Sequence, residues 1–195
     1  LCSEILQVNV ISSYGDYGTN SDNIGFDISC NLASGNIVNM MEHKTIEETV
    51  VNAMVIMNSV SEKTNIAHVP GVKKANDLMH SVGLGMMNLH GYLAKNFIPY
   101  GSKDSLEFVD VFFNIVNYYS LKYSNEKARE TGETYYQYEE STYATGEYFK
   151  NRGEILPKRK KVVKLFDGIT IPSVQDWKEL EKSIKEYGLY NSHRL

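Results

Sequence analysis

The chain has 195 residues, enough for one domain with a sizeable core, and its 42% hydrophobic and 23% charged residues are ordinary for a globular protein. A formal net charge of −4 argues against an extended nucleic-acid-binding face, and no apolar run reaches the roughly eighteen residues of a membrane span. Two cysteines do not make a secreted disulfide framework, so a reducing, cytoplasmic setting is expected.

The opening Leu1-Cys2-Ser3-Glu4 runs into Ile5-Leu6-Gln7-Val8-Asn9-Val10-Ile11, which reads as a β-strand under way from the first residue. Side chains at i and i+2 of a strand leave the same face, so Cys2 and Glu4 would place a thiol beside an acid/base group. A cysteine in a strand is more often a small buried hydrophobe, and spacing alone does not make a site. Ser12 to Asn23 is a polar, glycine-containing loop. Phe26 to Cys30 alternates apolar and polar residues and predicts a second short strand, which could bring Cys30 near Cys2; whether the two strands pair is left open. Asn31 to Asn36 reads as a turn of small residues that lets backbone or ligand approach closely.

Thr45 and Glu48 form a capping-box pattern ahead of a helix striped by Ile46, Val50, Ala53, Met54, Met57 and Val60, its methionines read as core fillers. A second helical run is expected after Pro70, with Leu78, Val82, Met86, Leu89 and Leu93 on one face. Gly83-Leu84-Gly85 inside it lacks the third glycine and the preceding strand of a dinucleotide fingerprint, and reads as close helix packing. His80 and His90 are not at ligand spacing, and no metal site is expected.

The longest helix is expected from Ser102 to about Thr131, burying Leu106, Val109, Phe113, Val116 and Tyr123. Tyr118, Tyr119, Tyr123, Tyr135, Tyr136, Tyr138, Tyr143 and Tyr148 read as rings sealing helix edges with hydroxyls in water, in preference to a base-stacking or radical-hopping array. Lys158 to Lys161 reads as the solvated first turn of a short helix ending near Gly168, in preference to a phosphate-binding patch. Ser173 and Asp176 open a last helix carrying Trp177, Leu180 and Ile184 and closed by Gly188. There is no internal repeat and no low-complexity tract.

Five stretches carry a likeness: Leu1 to Ile5 (LCSEI), Asp27 to Ser34 (DISCNLAS), Ala75 to Ala94 (ANDLMHSVGLG onward), Tyr143 to Phe149 (YATGEYF) and Tyr187 to Leu195 (YGLYNSHRL). In this order they resemble the large, catalytic subunit of class Ib ribonucleotide reductase, through nearly the whole chain. The resemblance implies an α/β fold in which residues 1–195 form part of a ten-stranded α/β barrel, helix-rich in this segment. The domain is expected to be incomplete at both ends, which read as cut.

The resemblance also implies roles. Cys2 matches the cysteine that becomes a transient thiyl radical and removes the 3′ hydrogen of a ribonucleoside diphosphate. Glu4 matches the carboxylate that takes the 3′-hydroxyl proton, and Leu1, Cys2, Ser3 and Glu4 together would bind substrate. Cys30 matches one of two thiols that reduce the substrate and end as a disulfide. The residue types suit this chemistry: a carboxylate acts as general base while the 2′-hydroxyl leaves as water, and a dithiol supplies two electrons.

No cofactor is expected in the chain itself. A dimetal small subunit would supply the radical, and an external glutaredoxin- or thioredoxin-like dithiol would reset the disulfide. The remaining segments of the subunit complete the list of expected partners, and the product would serve deoxyribonucleotide synthesis for DNA replication. Neither membrane nor nucleic acid is expected.

The family's Asn before the Leu-Cys pair, its upstream second redox cysteine and its Pro-Thr-x-Ser phosphate segment fall outside these residues. So do its effector-binding region, radical-relay tyrosines and C-terminal thiols, and the 195 residues are expected to be inactive alone. Gly35 stands where the family usually has Leu. One rival reading is a non-catalytic nucleotide-binding or assembly fragment in which Cys2 and Glu4 are relics. Another is a small thiol-redox protein using Cys2 and Cys30. Against the latter, the spacing is not C-x-x-C and no basic neighbour in sequence would lower either thiol's pKa.

Overall fold

The computed structural model describes residues 7–15, 22–150 and 154–192. Its elements run β1 (Asn31–Asn36), α1 (Ile37–Glu42), α2 (Ile46–Lys63), α3 (Pro70–Met79), β2 (Val82–Met87), α4 (Leu89–Lys95), α5 (Lys103–Thr131), α6 (Lys160–Leu165) and α7 (Val174–Tyr187), with two 3-10 turns at Tyr138–Glu140 and Glu147–Phe149. β1 and β2 pair in parallel, from Asn31 opposite Val82 to Asn36 opposite Met87. A parallel pair needs a crossover, and α1, α2 and α3 supply it. Among the described residues this is a helix-rich α/β arrangement with one parallel strand pair.

Two elements differ from their sequence reading. Asn31 to Asn36 is not a turn but β1. Its composition is poor for a strand, and pairing with β2 overrides that preference. Its small residues make room for the layer beneath: a Cβ on Gly35 would sit 2.9 Å from the sulfurs of both Met40 and Met86. A side chain at residue 35, where the resemblance led to the expectation of Leu, would need both methionines to shift.

The run after Pro70 is not one helix. Pro70 opens α3, and His80 ends it in the left-handed conformation, φ 46°. Beyond it Val82, Leu84 and Met86 also repeat every second residue, and two glycines weaken a helix there by about 1 kcal/mol each. Strand pairing wins, so Gly83 and Gly85 lie in β2 and do not pack helices together.

The pairing left open for the two opening segments is seen as two isolated antiparallel bridges, Val10 with Phe26 and Ser13 with Asn23. Within residues 7–15 and 22–30 no strand forms beyond these bridges, so Phe26 to Cys30 is not a strand.

The main core lies between the strand pair and the helices. α2 buries Ile46, Val50, Met54 and Met57 as expected, but Val60 is exposed and Thr45 makes no side-chain cap. α5 spans 29 residues, roughly 43 Å at 1.5 Å per residue. Its buried stripe is Phe108, Val111, Phe112 and Ile115, rotated from the expected one, of which only Val116 is fully buried and Leu106 is exposed. Apolar residues surround this helix, so periodicity alone does not fix which face meets the core.

A second, more aromatic cluster joins the far half of α5 to α7 through Leu121, Tyr135, Tyr138, Trp177, Leu180, Ile184 and Leu189. α7 starts on a complete capping box between Ser173 and Asp176 and stops at Gly188, φ 78°. Tyr135 and Tyr138 are buried here, and Tyr138 does not keep its hydroxyl in water. Tyr138 donates to the Ile184 carbonyl at 2.7 Å, and burial, helped by Tyr135 and Glu139, pushes its phenol up to about 12, so it stays protonated as that bond requires.

Candidate active site

Of the residues singled out from sequence, Leu1, Cys2, Ser3 and Glu4 lie outside the described residues, and Cys30 lies within them. Cys30 is half-buried and immediately precedes β1, with its sulfur 3.9 Å from the Asn31 carbonyl. The strand period tells which way it faces. Ala33, opposite Leu84, packs against the main core, and Val82 and Leu84 are 0% and 3% exposed. The alternate residues of β1, Leu32 and Ser34, are exposed, Leu32 by 68%. Cys30 lies just outside the strand; continued one residue back, the same alternation would put it with Leu32 and Ser34 on the side away from the helices. On β2 that side carries Gly83, which is buried, and Gly85, which is exposed and leaves its backbone open to approach.

Helix α3 grips the segment leading to Cys30 along its length. Lys74 Nζ donates to the Ile24 carbonyl at 2.8 Å, and the Asp27 amide donates to the Gly71 carbonyl at 3.2 Å. The contact is close enough that a Cβ on Gly71 would meet an Asp27 carboxylate oxygen at 2.6 Å. Phe26 packs edge-on against Tyr136, with centroids 5.4 Å apart. One turn further along α3, Asn76 accepts a hydrogen bond from the Ser29 hydroxyl at 3.2 Å. From the other side Gln7 Nε2 donates to the Ser29 carbonyl at 3.2 Å. Lys74, Gly71, Asn76 and Gln7 were given no role at the site from sequence, and nothing in their local pattern marks them.

A second polar knot closes the far end of α3. Asn191, fully buried, donates from Nδ2 to Asn58 Oδ1 at 2.8 Å and to the His80 carbonyl at 2.6 Å, while its amide donates to Ser124 Oγ at 2.9 Å. The Ser81 and Ser192 hydroxyls meet at 2.6 Å, and the His80 ring stacks on Tyr190 at 4.0 Å. Burial holds the His80 imidazole below its ordinary value, against the pull of Glu133, Glu62 and Asp77. The knot fixes residues 190–192, within the last resembling stretch, to the start of β2.

Among the described residues no three His, Cys, Asp or Glu side chains come together as a metal-binding group, and no helix is long and apolar enough to cross a membrane.

Comparison with known proteins bears directly on this arrangement. The family model for the ribonucleotide reductase barrel domain matches residues 1–195. The chain is 52% identical to ribonucleoside-diphosphate reductase subunit alpha of Bacillus subtilis (strain 168), an alignment covering 100% of this chain and 28% of that protein. It is 50% identical to the NrdEB subunit alpha of Bacillus phage SPbeta, over 99% of this chain and 18% of the relative. It is 39% identical to the subunit alpha of Mycoplasma genitalium, over 100% of this chain and 28% of the relative. The chain thus spans between 18% and 28% of the length of these relatives. A match of this extent and identity makes the chain a member of the ribonucleotide reductase large-subunit family, within its barrel domain.

Proposed function

We propose that this chain is the central part of the catalytic barrel of a class Ib ribonucleoside-diphosphate reductase and acts within a longer α subunit. In this reading the Cys2 thiyl removes the 3′ hydrogen of the substrate ribose, and Glu4 takes the 3′-hydroxyl proton. The 2′-hydroxyl leaves as water. Cys30 and a second thiol from the rest of the subunit supply two electrons and become a disulfide, which an external dithiol reduces. A radical-generating small subunit starts the cycle, and the setting is the cytoplasm. The barrel's own work is to hold these groups in register and to shield the radical.

The observation that carries the reading is the position of Cys30. It stands half-buried at the head of β1, where the alternation of β1 carried one residue back would turn it to the side that the helices leave open, in a chain whose relatives are named ribonucleoside-diphosphate reductases. That is the side on which a closed barrel keeps its interior.

The test is turnover of the complete α subunit with its small subunit and dithiothreitol. Cys30→Ser and Cys2→Ala are each expected to lower deoxynucleotide formation by at least a hundredfold, with the protein still folded by circular dichroism. Retention of more than a tenth of the activity in Cys30→Ser removes Cys30 from the reaction, and the same result for Cys2→Ala removes the thiyl assignment.

A further inference from the structure

We infer that Ser29 is a positioning residue for the neighbouring Cys30 thiol, pinned to α3 through Asn76 and to the opening segment through Gln7. The inference rests on the reading of Cys30 as a redox thiol and adds the device that holds it.

Ser29 is held at both of its polar groups: its hydroxyl donates to Asn76 Oδ1 and its carbonyl accepts from Gln7 Nε2, each at 3.2 Å. The acceptor it uses cannot turn away. Asn76 is 7% exposed, and its carboxamide is engaged at both ends by Ser61 of α2, itself 3% exposed. Ser61 Oγ donates to Asn76 Oδ1 at 2.7 Å, and Asn76 Nδ2 donates to the Ser61 carbonyl at 3.1 Å. Rotating the amide would set a donor against the two hydroxyl donors and an oxygen against a carbonyl. The network therefore fixes the point in space where the Ser29 hydroxyl must sit. It runs from α2 through α3 to residue 29, one peptide unit from the thiol.

Placing four polar groups in this contact has a cost that an apolar pair would avoid, since buried polar groups stabilise little beyond their own desolvation. What the network supplies is location. Closing a disulfide requires Cα atoms within about 4.4–6.8 Å and a narrow dihedral range, so a thiol-bearing segment that drifts by about 1 Å loses reactive geometry. Ser29 bonds to α3 through its hydroxyl and Cys30 is the next residue, so anchoring one restricts where the other can sit. Gln7 is the first described residue, and its bond to Ser29 ties the start of the described chain to the stretch that bears Cys30.

The experiment uses the complete α subunit with its small subunit and compares Ser29→Ala, Ser29→Thr, Gln7→Met and Cys30→Ser. Ser29→Ala leaves the Asn76–Ser61 pair intact and is expected to lower kcat by roughly five- to tenfold with KM for the nucleoside diphosphate within about twofold. Ser29→Thr keeps the hydroxyl and is expected to restore kcat. In a single turnover of pre-reduced enzyme, disulfide formation at Cys30 slows by the same factor in Ser29→Ala. If that variant fails to assemble, Gln7→Met carries the same test with the same expected pattern. Unchanged kcat, or equal losses in the alanine and threonine variants, overturns the positioning role. Full turnover in Cys30→Ser overturns instead the reading on which it rests.

Discussion

The two faces of the β1–β2 pair are built on opposite rules. On the helix face Ala33, Val82 and Leu84 join Ile37, Met54 and Phe112 in a dry core, and Val82 and Leu84 are all but inaccessible. On the open face Leu32 and Ser34 stand exposed beside Gly85, with Cys30 at the head of the row. The first face holds the fold together, and the second is left free of packing duties. Chemistry in a barrel is placed where side chains can change without collapsing the core, and here the strand period separates the two roles residue by residue.

That separation is open to a direct attack. Leu84→Ala leaves a cavity in the helix face and is expected to cost about 2–5 kcal/mol, whereas Leu32→Ala on the open face costs under about 0.5 kcal/mol. Urea midpoints of the two variants decide it, and comparable losses would abolish the distinction between faces.

A smaller effect is expected at the polar knot beyond α3. Asn191→Ala leaves Asn58 Oδ1 and the buried His80 carbonyl without their donor, a loss of about 1–3 kcal/mol, and hydrogen exchange of the β2 amides should quicken with it. Unaltered exchange in β2 would detach the knot from the sheet.

The smallest effect depends on pH. Burial lowers the His80 pKa from 6.5, so the unfolded chain takes up its proton first. The contribution of the neutral ring is complete above pH 6.5 and shrinks as pH falls toward the lowered folded value. His80→Asn suits the left-handed backbone at φ 46° and removes the titration. The stability difference between wild type and this variant should therefore narrow from pH 7.5 to 5.5; a constant difference would count against it.

How much of this was legible from the amino acids varies with the physics involved. α7 was readable because its determinants are local: a Ser173–Asp176 box, an apolar stripe at helical spacing and a glycine stop. The methionine stripe of α2 was readable for the same reason, although Val60 shows that a stripe runs past the point where packing ends. β1 was not, because Asn31 to Asn36 has no strand preference of its own and becomes a strand only against β2. The break at His80 was hidden by Val82 and Met86, which fit both a helical and a strand period. In α5 the length was legible and the buried face was not, since hydrophobic residues occupy more of its circumference than the core can take. At the site, Cys30 was found from its resemblance, while Ser29, Asn76, Ser61 and Gln7 act through contacts up to 47 residues apart that no spacing announces.

The crossover joining the strands has a consequence for how this protein is made. β1 emerges from the ribosome about fifty residues before the partner it needs, which at cellular translation speeds is a wait of roughly 3–10 s. Throughout that interval its amides and carbonyls are an open invitation to any stray strand. The helices that follow it at once, α1 and α2, bring the apolar residues that cover one face of the strand, but its edge groups wait for β2, so the hazard lasts until the crossover is complete.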